Sequence, residues 1–147
     1  MKISNQEVLD RNVEWFLVKK MPRAANYSGG CVYHEEGSRP SEANPFTPLR
    51  CAVGCAIPEE TAKELAENYA GSIGSRDADV ILFGRPDSPF DKEQHGFLKV
   101  MQWTHDTIDG YDGAREMVSD EVFRERFEKA LRKIAEMFAL VFPFYRS

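Results

Sequence analysis

Pro48-Leu49-Arg50-Cys51-Ala52-Val53-Gly54-Cys55-Ala56-Ile57-Pro58 is the most apolar and least charged run near the middle of an otherwise highly charged chain. Ile57 precedes a proline, which pushes it away from helical geometry, and the residues behind it are mostly small or β-branched. This pattern predicts a short buried strand over 49–57. Gly54 inside it marks a bulge or the close approach of another backbone. Upstream, Gly30-Cys31-Val32-Tyr33-His34 has a similar composition, and the stretch between them, 35–48, is rich in Pro, Ser and Glu. The pair predicts an antiparallel hairpin, Cys31 to His34 against Arg50 to Ala56, closed by a long polar loop. Because an isolated two-stranded hairpin is marginal in water, helices on either side of it in sequence must cover it.

The expected fold class is therefore α+β: a mainly helical single domain, 1–147, packed around a short two-stranded antiparallel hairpin. The 147 residues suffice for one domain that buries about two thirds of the surface its unfolded chain exposes. Hydrophobic residues make up 42% and charged residues 29%, a globular balance that argues against disorder. The net charge of −5 gives a long-range field that repels a phosphate backbone, so nucleic acid is not an expected partner. No apolar leader follows Met1, and no run approaches the ~20 residues of a membrane span. Three cysteines without a secretory signal fit reduced thiols, and the expected location is cytoplasmic.

Four helices are expected around the centre. Ser4-Asn5-Gln6-Glu7 reads as a capping box, after which Leu9, Val13, Phe16 and Leu17 recur at helical spacing until Pro22 stops the run. Pro58-Glu59-Glu60-Thr61 opens a second helix, with proline in the first turn and carboxylates at the positive end of the dipole. It runs through Ala62, Leu65, Ala66 and Tyr69 to the 71–75 breaker. The 77–84 stretch fits a buried strand or a short helix by pattern alone, and is read as a short helix or turn. With two prolines and several acids, 85–94 reads as a surface loop. The third helix starts near His95 or Phe97 and carries Phe97, Val100, Met101, Thr104 and Ile108 on one face. Ser119 caps the last, with Val118 and Phe123 as a staple and Phe123, Phe127, Leu131, Ile134 and Phe138 in register. Val32, Cys51, Val53, Ile57 and Leu65 complete the expected core.

Two constellations could carry chemistry. Cys31-x-x-His34 with Cys51-x-x-x-Cys55 would set two ligand pairs on the two arms of the hairpin, as small structural zinc sites do. An extended run, however, holds Cys51 and Cys55 about 13 Å apart, too far for one ion unless Gly54 folds the strand. Cysteine is also among the most buried residue types, so core packing is the favoured account of these thiols and zinc the lesser one. The second constellation pairs Cys51 or Cys55 with His105. A cysteine nucleophile needs a base near enough to form the thiolate and a third group to orient the base. Adjacent helical residues point about 100° apart, so Asp109, at i+4, is expected to orient His105 in preference to Asp106. The bland alternative is a histidine that complements the negative end of its helix. No cofactor is expected, because the aromatic stripes are explained by their helical spacing. Trp15 and Trp103 fall off the main faces and, with Tyr111, Phe142, Phe144 and Tyr145, offer an apolar surface for a protein partner or self-association.

On Cys31-Val32-Tyr33, the Cys51 to Pro58 run, Met101 to His105-Asp106 and Phe123 to Phe138, the chain resembles a set of small bacterial and phage proteins. These share a leading helix, a Cys-x-Tyr segment, a Cys-Ala-Ile/Val-Gly-x-x-Ile-Pro segment, a Leu-x-x-x-His-Asp-like segment and a closing amphipathic helix. Met101 stands where that pattern has leucine, and the loops at 35–48 and 85–94 are particular to this chain. The resemblance implies no activity. The expected function is that of a non-catalytic accessory or interaction protein, of the kind a phage or mobile element carries. The alternatives are a cysteine-dependent hydrolase or transferase using Cys51, His105 and Asp109, and a small zinc site on the hairpin.

Overall fold

A computed structural model of the chain describes residues 2–21, 50–68, 71, 73–108 and 119–145. Helix α1, Asn5–Asn12, starts where the capping box places it: the Glu7 amide donates to Ser4 Oγ (3.1 Å), and the Ser4 amide donates to Glu7 Oε1 (3.4 Å). It continues as a π-helical turn, Val13–Val18, in which Lys19 N–H reaches back five residues to Glu14 O (2.9 Å). Lys20 then turns out of the helix at a φ of 56°. Helix α2 is Glu59–Glu67, and α3 is the short Arg76–Asp79, which also widens into a π-helical turn, Val80–Gly84. The stretch whose pattern fitted strand or helix is thus helical. A 3-10 turn at Lys92–Gln94 leads into α4, His95–Thr107, and Ser119 caps α5, Asp120–Met137.

Helices α4 and α5 run antiparallel. Phe97 near the start of α4 meets Phe138 at the end of α5 (5.0 Å between ring centroids), and His105 near the end of α4 meets Phe123 and Phe127 near the start of α5. Phe16, from the π-helical turn, closes the cluster at 5.6 Å from Phe123 and 5.2 Å from Phe127. The buried face of α4 is Phe97, Leu98, Met101, Gln102 and His105. It is rotated from the expected one: Val100 is only half-buried, and Leu98 takes the core position.

The centre is not a hairpin. Among the described residues there is no β-strand, and 51–57 forms helical turns: Cys55 N–H donates to Cys51 O (2.9 Å) and Ala56 N–H to Val53 O (3.0 Å). The α+β expectation is corrected to a mainly helical fold. Cys31 to His34, the other expected strand, lies outside the described residues. The physical reason for the error is that Pro58 restricts the backbone of Ile57 alone, while the small residues before it are free to coil. Cys51, Ala52, Val53, Ala56 and Ile57 are all buried, so the run is enclosed, as a coil and not as a strand.

A buried coil must find partners for its backbone. Here side chains from the flanking helices supply them. Asn12 Nδ2 donates to Ala52 O (3.0 Å), Arg11 Nη1 to Ala56 O (2.6 Å), and Val53 N–H donates to Gln102 Oε1 (3.1 Å). The 85–94 loop also departs from expectation, since Ser88 and Phe90 are buried. It is pinned by Ile3 N–H to Pro89 O (2.8 Å), Phe90 N–H to Leu82 O (3.2 Å) and Ser88 Oγ to Ile81 O (2.8 Å).

Candidate functional site

Of the sequence candidates that fall on described residues, Cys51 and Cys55 lie in the 51–56 turns and His105 lies on α4, and the Val53 to Gln102 hydrogen bond joins those turns to that helix. Gln102, His105 and Asp106 lie at i, i+3 and i+4 on α4, so they share one side of the helix. Gln102 accepts from Val53 N–H through Oε1 and donates through Nε2 to Asp106 Oδ1 (2.9 Å). The same Asp106 oxygen lies 2.8 Å from His105 Nδ1. A carboxylate only accepts, so the imidazole proton sits on Nδ1 and the ring is oriented by Asp106. This corrects the argument that adjacent helical residues point too far apart: Asp106 holds His105. Asp109, the residue expected in that role, lies outside the described residues.

The imidazole has an apolar wall as well as a polar anchor. Phe16, Phe123 and Phe127 surround it at centroid separations of 5.2, 5.9 and 6.0 Å. His105 has no exposed surface, and the Asp106 side chain is 9% exposed. An ionised carboxylate is costly at such a place unless donors surround it, and Gln102 Nε2 and His105 Nδ1 are two of them. Gln102 was missed by sequence reasoning. Its signal was its register, four residues before Asp106 and on the buried face.

Cys51 is also fully buried, and its Sγ accepts from Gly54 N–H (3.4 Å) inside the turn. Cys55 is half-buried, with its Sγ–H donating to Ala52 O (3.4 Å). Burial pushes the Cys55 thiol well above its ordinary value, and Cys51 nearby pushes the same way. Arg50, the backbone and Arg11 oppose the shift without cancelling it. A thiol held protonated in this way is a poor nucleophile at neutral pH. The coil also removes the 13 Å separation expected of a strand, a figure of about four residues of extended chain. Even so, among the described residues no group of three or more His, Cys, Asp or Glu side chains could hold a metal ion. Cys31 and His34, the other expected ligands, lie outside the described residues.

Compared with known proteins, the chain matches no family model, no curated protein and no solved structure. The resemblance to small bacterial and phage proteins therefore rests on its quoted segments alone. Among the described residues, no helix is long and apolar enough to cross a membrane.

Proposed function

We propose that this is a non-catalytic accessory protein that works by binding another protein or a second copy of itself, in the cytoplasm. The observation that carries this reading is where the described chain leaves large apolar side chains exposed. Three of the six, Met137, Val141 and Phe144, lie within eight residues at the end of α5 and in the tail beyond it, with Phe144 93% exposed. That tail is held in place. Val141 exchanges two hydrogen bonds with the Gln6 side chain (2.7 and 2.9 Å), Arg132 stacks 4.1 Å over the Phe142 ring, and Tyr145 bonds to Glu128. An ordered segment with apolar side chains turned outward suits a contact surface. The concealment of Cys51 and His105 supports the non-catalytic half of the reading.

The test is to compare the wild type with a Val141→Asp, Phe144→Asp double variant by sedimentation and by cross-linking in native lysate. Association or capture that disappears in the double variant, at unchanged melting temperature, is the expected result. Strictly monomeric behaviour with nothing captured, or equal capture by both proteins, would overturn it.

A second reading, a cysteine-dependent hydrolase or transferase, draws support from the imidazole that Asp106 orients, as a base is oriented in catalytic dyads. Alkylation of the native protein at neutral pH separates the two readings. Rapid labelling of Cys51 that His105→Ala abolishes would favour catalysis.

A further inference from the structure

A second cluster lies where α1 meets the start of the same coil. Among the described residues, three buried side-chain polar atoms have no hydrogen-bond partner: Asn12 Oδ1, Trp15 Nε1 and Arg50 Nε. Native proteins leave few such atoms, because each unmade bond forfeits the solvation it had in water. All three residues sit where α1 and its π-helical turn face the start of the coil. Asn12 itself has no exposed surface and already spends its amide on Val8 O and Ala52 O.

Two of the three atoms are donors, and the side chains that carry them are neighbours. The Arg50 guanidinium lies 5.4 Å from the Trp15 ring centroid, and Lys19 Nζ lies 5.8 Å from the same centroid. Arg50 Nη2 reaches Glu59 Oε1 at 3.6 Å, so that carboxylate faces one end of the guanidinium while Nε is left over. Positive charge and unpaired N–H groups in one place call for an acceptor with negative charge and more than one oxygen. The backbone is also unusual at this point: a π-helical turn holds Trp15, and Lys20 has a positive φ, features that gather at functional sites.

We propose that Trp15 and Arg50 form a binding site for an oxyanion, the carboxylate or phosphate group of a small ligand. Trp15 Nε1–H and Arg50 Nε–H donate to its oxygens, and Lys19 adds positive charge at the rim.

The chain has two tryptophans, so Trp103→Phe leaves Trp15 as the one indole reporter. That variant is titrated with sodium succinate in one arm and sodium phosphate in the other, with sodium chloride at matched ionic strength as the control. A saturable change in Trp15 emission with a rise in melting temperature, in either arm and absent with chloride, is the expected result. The responding arm identifies the oxyanion. Arg50→Gln should then weaken binding at least tenfold. Trp15→Phe keeps an aromatic ring but removes the indole donor, so it tests the same site through its other bond, independently of how Arg50→Gln folds; read by thermal shift, it should weaken binding severalfold. No saturable response in either arm, a response that chloride reproduces, or undiminished affinity in Trp15→Phe would overturn the proposal.

Discussion

Gln102→Glu is an isosteric change that tests the buried network by reversing one hydrogen bond. The carboxylate it introduces can still accept from Val53 N–H, now 3.1 Å from Gln102 Oε1. It cannot donate to Asp106 Oδ1, which Gln102 Nε2 reaches at 2.9 Å, unless it is protonated. With both carboxyls ionised, the fold loses a hydrogen bond to a charged group, worth about 1.5–3 kcal/mol, and gains a like-charge contact in its place. We expect a loss of about 3–4 kcal/mol at neutral pH relative to wild type. In acid, a proton shared by the pair restores the donor, and the loss should shrink to about 1 kcal/mol near pH 4.5. The folded variant holds that shared proton to higher pH than the unfolded chain does, so its stability falls as pH rises. Urea denaturation of both proteins, followed by circular dichroism near pH 4.5 and 7.5, gives the difference directly. Gln102→Met, which loses both bonds, serves as the control and should cost about 3 kcal/mol at both pH values. A deficit of Gln102→Glu that does not vary with pH would refute the hydrogen-bond direction assigned here.

Three further outcomes are expected. Phe127 is fully buried against Phe16, His105 and Phe123, so Phe127→Ala should cost about 3–5 kcal/mol in chemical denaturation; a negligible loss would show that the aromatic cluster is not the core. Ala139 ends α5 at a φ of 54°, with Leu140 N–H donating to Ala135 O (2.7 Å) and Ala139 N–H to Glu136 O (3.3 Å); Ala139→Gly should raise stability by up to about 1 kcal/mol, and a lower melting temperature would count against this cap. The raised Cys55 thiol stays protonated in the fold after unfolded cysteine ionises, so stability should fall above about pH 8.5, by at most about 1.4 kcal/mol per pH unit. Cys55→Ala should flatten that decline, and an unchanged slope would contradict the shift.

The helices were legible because their signals are local. The capping box of Ser4 and Glu7, the Ser119 cap whose Oγ takes the Val122 amide (3.3 Å), and the Phe123, Phe127, Leu131, Ile134 register of α5 all act within one turn or along one face. The state of 51–57 was not legible, since its composition suits a strand or a buried coil alike. It was decided by Asn12, Arg11 and Gln102, which lie 40, 45 and 49 residues away from the groups they bond and take over the role of a strand ladder. The same holds for the 85–94 loop, where polar composition suggested the surface but the Ile3 amide donating to Pro89 O and the Phe90 amide donating to Leu82 O draw Pro89 and Phe90 inward. At the candidate site, the sequence by itself singled out Cys51 and His105, because thiols and imidazoles are few. Only the tertiary structure decided that both are enclosed, that Asp106 orients the imidazole and that Gln102 joins them to the coil. Enclosure is a property of what packs around a side chain, and Phe16 and Phe127 reach His105 from helices distant in sequence.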